Sequence, residues 1–247
     1  MKINLFTPQP IIITLTLILL VTVHSPLFAK CTPENSVKPE NAIRFSVHDS
    51  SEFETLYESP KTISFQVFEK TVKGESRLFA KGDYHAVYPI KMKYIQRIME
   101  NIDGQENFQK SIAESKVICS DTNTQSAYYK QKLKTQFGFL FFKAQYHNII
   151  NLYVPKNQDK DTYGMWFTLE KSLDNKMMQS RGSWFLKEVE VNGKACTYIR
   201  YFLYNGFEEE TFGLRGALKN FSEGEVKKTL DNIYSASNKL KKNGNRF

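Results

Sequence analysis

The stretch from Gly182 to the C-terminus constrains this chain most, because it reads as strand, tight turn, strand and one long helix. Asn192-Gly193 separates two runs rich in β-branched and aromatic residues. Both positions tolerate the positive φ that a two-residue hairpin turn demands. Residues 185–191 should therefore pair antiparallel with 195–203. Side chains alternate along a strand, so Ile199 and Tyr201 should share a face opposite Arg200. Ser222-Glu223-Gly224-Glu225 then has the form of a capping box, which predicts a helix start there. Val226, Leu230, Ile233, Ser237 and Leu240 follow at helical spacing and form one mostly apolar stripe. A long helix closing on an antiparallel sheet encloses space, which suits a binding protein better than a catalytic cluster.

The N-terminus reads as a targeting segment. The apolar run 11–23 is short for a bilayer span and well sized for the core of a signal peptide, with Lys2 ahead of it and Ala29 at a fitting cleavage position. We expect a signal peptide over 1–29 and an exported, periplasmic or cell-envelope protein; a retained anchor is the alternative. Lipidation at Cys31 is not expected, because Lys30 stands where a small residue should precede a lipidated cysteine. The net charge of +8 could favour anionic surfaces, but the cations are scattered, and export argues against nucleic acid as a partner.

Residues 30–60 are polar and proline-interrupted and read as a linker or loosely docked arm. Period-two patterning then marks strands around 63–68 and 77–87, joined by a turn at Val72-Lys73-Gly74-Glu75. Pro89 suits a first helical turn, and Met92, Ile95, Ile98, Met99 and Ile102 supply the apolar face of that helix, which Asp103-Gly104 ends. Further strands are expected at 114–120, 126–135, 146–154 and 163–170. In the second of these, Tyr129, Gln131, Leu133 and Thr135 face one side while Lys130, Lys132 and Lys134 face the other. The aromatic segment 137–142 reads as a loop that plugs the core, or as a cavity-mouth flap or membrane-contacting tip. Residues 242–247 form a basic tail.

Three places resemble the START-like, or helix-grip, superfamily of lipid-transfer and pollen-allergen-type domains. They are Tyr88-Pro89-Ile90 before the helix, Glu114-Ser115-Lys116-Val117-Ile118, and Gly182-x-Trp184-x-Leu186 with the hairpin through Thr197, Ile199 and Tyr201. The resemblance runs over roughly 60–241 and rests on the order of these motifs. It implies an α+β fold in which a curved antiparallel sheet of about seven strands wraps a long C-terminal helix over a START-like domain at 61–241. It further implies a lipid or other hydrophobic or amphipathic small molecule as partner. In the family's usual strand order Cys119 and Cys196 lie too far apart to bond, so both are expected to be free thiols.

Catalytic signals are sparse. His48, His85 and His147 have no evident partner constellation, and no phosphate loop, nucleophile elbow or zinc motif occurs. No metal or cofactor is expected. The candidate ligand-lining residues on strands are Tyr129, Leu133, Ile150, Leu152, Met165, Phe167, Trp184 and Tyr201. Val226, Leu230 and Ile233 join them from the helix. Arg200, a charge in mid-strand, either faces outward beside Cys196 or anchors a carboxylate or phosphate headgroup. The leading expectation is a non-enzymatic carrier. Its rivals are a cyclase- or dehydratase-like enzyme using the same pocket, and an envelope interaction protein whose cavity is filled by side chains.

Overall fold

The computed structural model describes residues 29–31, 40–139, 142–208 and 213–244, with side chains described except at 29, 30, 137–139, 142, 143 and 220–222. The signal-peptide expectation therefore falls almost wholly outside the described residues, as does the second half of the basic tail, whose first residue, Lys242, ends the C-terminal helix. The described chain is α+β. Eight long strands form one antiparallel sheet: β2 (Lys61–Val72), β3 (Glu75–Tyr88), β4 (Ile112–Thr122), β5 (Ser126–Phe139), β6 (Phe142–Pro155), β7 (Thr162–Ser172), β8 (Met177–Val191) and β9 (Lys194–Phe207). A two-residue strand, β1 (Ala29–Lys30), adds in parallel at the β4 edge, giving the order β1-β4-β5-β6-β7-β8-β9-β3-β2. Helix α1 (Met92–Glu100) and the long α2 (Leu214–Lys242) lie on the concave face. This is the helix-grip arrangement, with one strand more than the seven expected.

The hairpin has the expected register. Phe185 pairs with Arg200, Leu186 with Ile199 and Val191 with Lys194, and the turn puts Asn192 at φ 51° and Gly193 at φ 72°. The β2–β3 turn repeats this device at Lys73 (φ 51°) and Gly74 (φ 86°). Both use the double positive φ of a turn that matches the twist of the flanking strands.

The stripe on α2 is buried as its spacing predicts: Val226, Leu230, Ile233, Ser237 and Leu240 all lie in the core. Fully burying an aliphatic side chain such as Leu230 contributes about 1.5–3 kcal/mol relative to exposure. On α1, Met92, Ile95, Ile98 and Met99 face the same core, as does Ile102 just beyond it. Polar clasps then set the angle of α2. Tyr88 Oη donates to Asp231 at 2.8 Å while its ring stacks on Tyr234, and Tyr234 Oη donates to Glu58 at 2.7 Å.

Several expectations are corrected. Helix α2 starts at Leu214 after Gly213 (φ 83°), so Ser222 lies inside the helix and the capping-box pattern is not used as a start. Glu225 instead pairs with Lys228 at 2.6 Å, and Glu223 accepts from Thr62 on β2 at 2.5 Å. Helix α1 begins at Met92, and Pro89 sits in the bend before it. The aromatic segment is no loop along its described length: β5 runs to Phe139 and β6 resumes at Phe142, which pair with each other. Its tip, 140–141, and its aromatic side chains lie outside what is described, so the plug, flap and membrane-contact readings are not addressed.

The described stretch of the arm from 40 to 60 is firmly docked. Ala42 and Leu56 have no exposed surface, and Pro60 is also buried. Phe45 stacks with Phe185 and sits over Gly164, where an added Cβ would meet its ring at 2.7 Å. Length alone hides this, because few apolar residues suffice when the sheet provides matching recesses.

The cysteine expectation fails for Cys119. It bonds to Cys31, with 5.3 Å between the Cα atoms, beside the pairing of β1 with β4. Cys196 is free and buried. The strand-order argument addressed only Cys119 and Cys196; the arm brings in the third cysteine.

Candidate functional site

The curved sheet, α2 and the segment after α1 enclose a cavity of about 250 Å³. Strand alternation selects its wall. Leu133 from β5, Ile150 and Leu152 from β6, and Met165 and Phe167 from β7 all point inward. Trp184 and Tyr201 close the far side as a stacked pair with centroids 3.9 Å apart. Ile233 of α2 and Met99 of α1 form the lid, and Phe108 fills the gap before β4.

Of the sequence-derived candidates, three do not touch this space. Val226 and Leu230 are buried in the main core beside it, and Tyr129 is half-buried against that core. The helix stripe is wider than the stretch of helix that faces the cavity, so helical spacing alone does not distinguish a core residue from a lining one.

Sequence reasoning missed the polar part of the wall. Gln105, Gln109, Gln131, Asn148, Ser180 and Asn205 also line the cavity. Gln131 was seen to face inward, and its amide is engaged: Nε2 donates to Ser115 Oγ at 2.6 Å and to the Ile102 carbonyl at 3.2 Å. Others are not. The side-chain oxygens of Gln109, Asn148 and Asn205 are buried without a partner among the described residues. The signal for Asn148 and Asn205 was available, since they share the inward parity of Ile150 and Tyr201 on their strands.

The cavity wall carries no Asp, Glu, Lys, Arg or His among the described residues. Its one titratable lining group is Tyr201, whose phenol burial pushes up, so it stays neutral. Nor do three His, Cys, Asp or Glu side chains converge into a metal-holding cluster among the described residues.

Among the described residues, the buried ionisable side chains Asp83, His85 and Arg200 sit on the opposite, convex face of the sheet. Arg200 grips Asp83 through both guanidinium branches, at 2.9 and 2.7 Å, and donates to the Ser46 carbonyl of the arm at 3.2 Å. Its headgroup role is thereby corrected: it points away from the cavity, as the alternative reading held, and is consumed by a structural pair. Arg44 of the arm lies over the Phe202 ring at 4.4 Å and approaches Asp83 at 3.9 Å. His85, nearly fully buried, has Nε2 3.4 Å from Glu52 of the arm and Nδ1 3.4 Å from Tyr198 Oη. Burial lowers its pKa to about 4, with Glu52 pulling the other way. Tyr198 Oη also accepts from the His48 backbone N–H at 3.1 Å. His147 shares this outward parity, so no described histidine reaches the cavity.

No protein-family model and no curated protein sequence matches the chain. Among solved structures it is similar in outline to a STAR-related lipid transfer protein from Xanthomonas axonopodis, at 11% identity over 70% of this chain and 98% of that one, with a TM-score of 0.48. A Zhui aromatase/cyclase from a Streptomyces species aligns at 7% identity over 66% of this chain and 95% of that one, with a TM-score of 0.46. A START superfamily protein from Mycobacterium smegmatis aligns at 8% identity over 66% and 97%, with a TM-score of 0.42. All three similarities lie below a TM-score of 0.5.

Proposed function

We propose that this chain is an exported, non-enzymatic helix-grip protein that holds a hydrophobic or amphipathic small molecule between its sheet and α2. One observation carries the reading: the cavity between sheet and helix is lined by aromatic, aliphatic, hydroxyl and neutral amide groups. Ligand sites are generally apolar pockets with a few placed polar groups, and this wall has that composition. Acid–base catalysis would need a titratable group within reach of the ligand, and no described histidine or carboxylate supplies one, which favours binding over the cyclase-like alternative. Export is supported by the leader sequence and by the Cys31–Cys119 bond, which suits an oxidising compartment. That bond also engages the sulfur that a lipid anchor would need.

The filled-cavity interaction protein is the reading to test against, because about 250 Å³ lies just under the usual range of roughly 300–1,000 Å³ for ligand sites. Purified protein is incubated with a lipid extract of its host envelope, re-isolated and examined by native mass spectrometry. We expect one small molecule retained per chain. A bare protein mass throughout sinks the carrier reading and leaves the filled cavity.

A further inference from the structure

The cavity is polarised, and its polarity specifies a chemical class. The register shows the gradient. Leu133 pairs with Asn148 and Ser180 pairs with Asn205 toward one end of the sheet. Leu152 pairs with Phe167, and Trp184 pairs with both Met165 and Tyr201, toward the other. Moving from Asn148 to Leu152, from Ser180 to Trp184, or from Asn205 to Tyr201 leads in each case from amide or hydroxyl to apolar wall.

Beside the Ser180 hydroxyl, the polar end holds three unpaired acceptors. Gln109 Nε2 donates to the Thr229 carbonyl of α2 at 3.1 Å, which leaves its oxygen unpaired. Asn148 Nδ2 is directed at Met177 Sδ, 3.2 Å away, and its oxygen is likewise unpaired. Asn205 adds a third such oxygen. Gln109 and Asn148 are 4% and 3% exposed, so bulk water does not satisfy them. Buried amide oxygens are ordinarily hydrogen-bonded, and three unpaired on one cavity wall call for donors from a guest.

We infer that the ligand is a small uncharged molecule carrying a hydroxyl or comparable N–H donor. The donor lies at the Gln109–Asn148–Asn205 end and the apolar body rests against Trp184 and Tyr201. This rests on the binding reading above and narrows it. A carboxylate or phosphate would meet acceptor oxygens with no cation on the wall, and an ammonium would be buried with no counter-charge; both are costly. A pure hydrocarbon would leave all three oxygens unpaired. Size narrows it further. A cavity of about 150 Å³ accepts benzene, so one of about 250 Å³ suits one or two rings or a short chain rather than a whole two-chain phospholipid.

Three matched probes test this on the full mature chain by calorimetry: thymol, its parent hydrocarbon cymene, and the similarly sized carboxylate cuminate. Thymol is expected to bind at least about tenfold more tightly than either of the others, the worth of one good hydrogen bond. Asn148→Leu and Asn205→Leu, confirmed as folded by circular dichroism, should bring thymol and cymene to within about threefold of each other. The variants should keep their cymene binding, which a collapsed cavity would not. Cymene or cuminate binding wild type as well as thymol does would overturn the inference while leaving the carrier reading intact. If no probe binds and the lipid extract yields nothing, both fall. If no probe binds but the extract yields a molecule, its chemistry decides: an acid or hydrocarbon overturns the inference, and a neutral alcohol upholds it.

Discussion

The two faces of the sheet bury polar groups in opposite ways. On the convex face the buried polar side chains Arg200, Asp83 and His85 are partnered: Arg200 with Asp83, and His85 beside Glu52 and Tyr198, while Arg44 lies over Phe202. On the concave face there is no lining charge among the described residues, yet three amide oxygens have no partner. A paired buried group contributes to the fold and is unavailable to a guest. An unpaired one costs stability in the empty protein and becomes binding energy when a guest supplies the donor. The convex face therefore reads as construction, and the concave face as reception.

The largest break in this contrast should come from Asp83→Ala. It strands the Arg200 guanidinium in a buried site, a loss of about 3–5 kcal/mol. Denaturant unfolding measures it, and cavity binding in the surviving folded fraction should be unchanged. If thymol binding fell in step with the loss of the ion pair, the two faces would not be independent.

Next is the staple that holds the Cys31 segment to the convex side, where Cys31 packs with Tyr128 and Tyr153. Replacing Cys31 and Cys119 by Ser removes a crosslink spanning 88 residues and should cost about 2–4 kcal/mol. Before that change, thiol titration of the unfolded, unreduced protein should find one free thiol, Cys196. Two or more would refute the pairing.

Acid sharpens the comparison. His85 has a folded pKa of about 4, below its ordinary 6.5, so its neutral form is what the fold accommodates. Its contribution is complete above about pH 6.5 and is lost as pH falls toward 4. Between pH 7 and 5 this amounts to about 2 kcal/mol. The arm should loosen first, because His85 contacts Glu52 and lies 5.7 Å from the His48 ring. Hydrogen exchange should show opening at 42–57 ahead of α2, and His85→Gln should flatten the profile. An arm that stays protected to pH 4 would count against this.

The smallest effect has the opposite sign. Asn205→Leu removes an unpaired buried acceptor from the concave wall, so the empty protein should be unchanged or about 1 kcal/mol more stable. A loss of several kcal/mol would mean that Asn205 is structurally engaged and that the wall is not the receptive surface described.

Local rules made part of this legible. Asn192-Gly193 set the hairpin register because few residue pairs accept two positive φ angles in succession. The Val226–Leu240 stripe announced the buried face of α2, and eight of the eleven proposed lining residues do face the cavity. Val226, Leu230 and Tyr129 were indistinguishable from them, since a core side chain and a cavity side chain obey the same periodicity. The capping-box pattern misled because Ser and Glu at that spacing are also tolerated inside a helix whose other face is well buried.

By itself, then, the sequence determined the alternation of faces, the turns, the helical stripe and the inward parity of Tyr201 against the outward parity of Arg200, because all of these depend on neighbours within a few residues. Only the tertiary structure decided that the arm seals the convex face, that Cys31 rather than Cys196 meets Cys119, and that Gln109, Asn148 and Asn205 converge on one cavity unpaired. Those outcomes join residues tens of positions apart, and only the closing of the sheet around α2 brings them together.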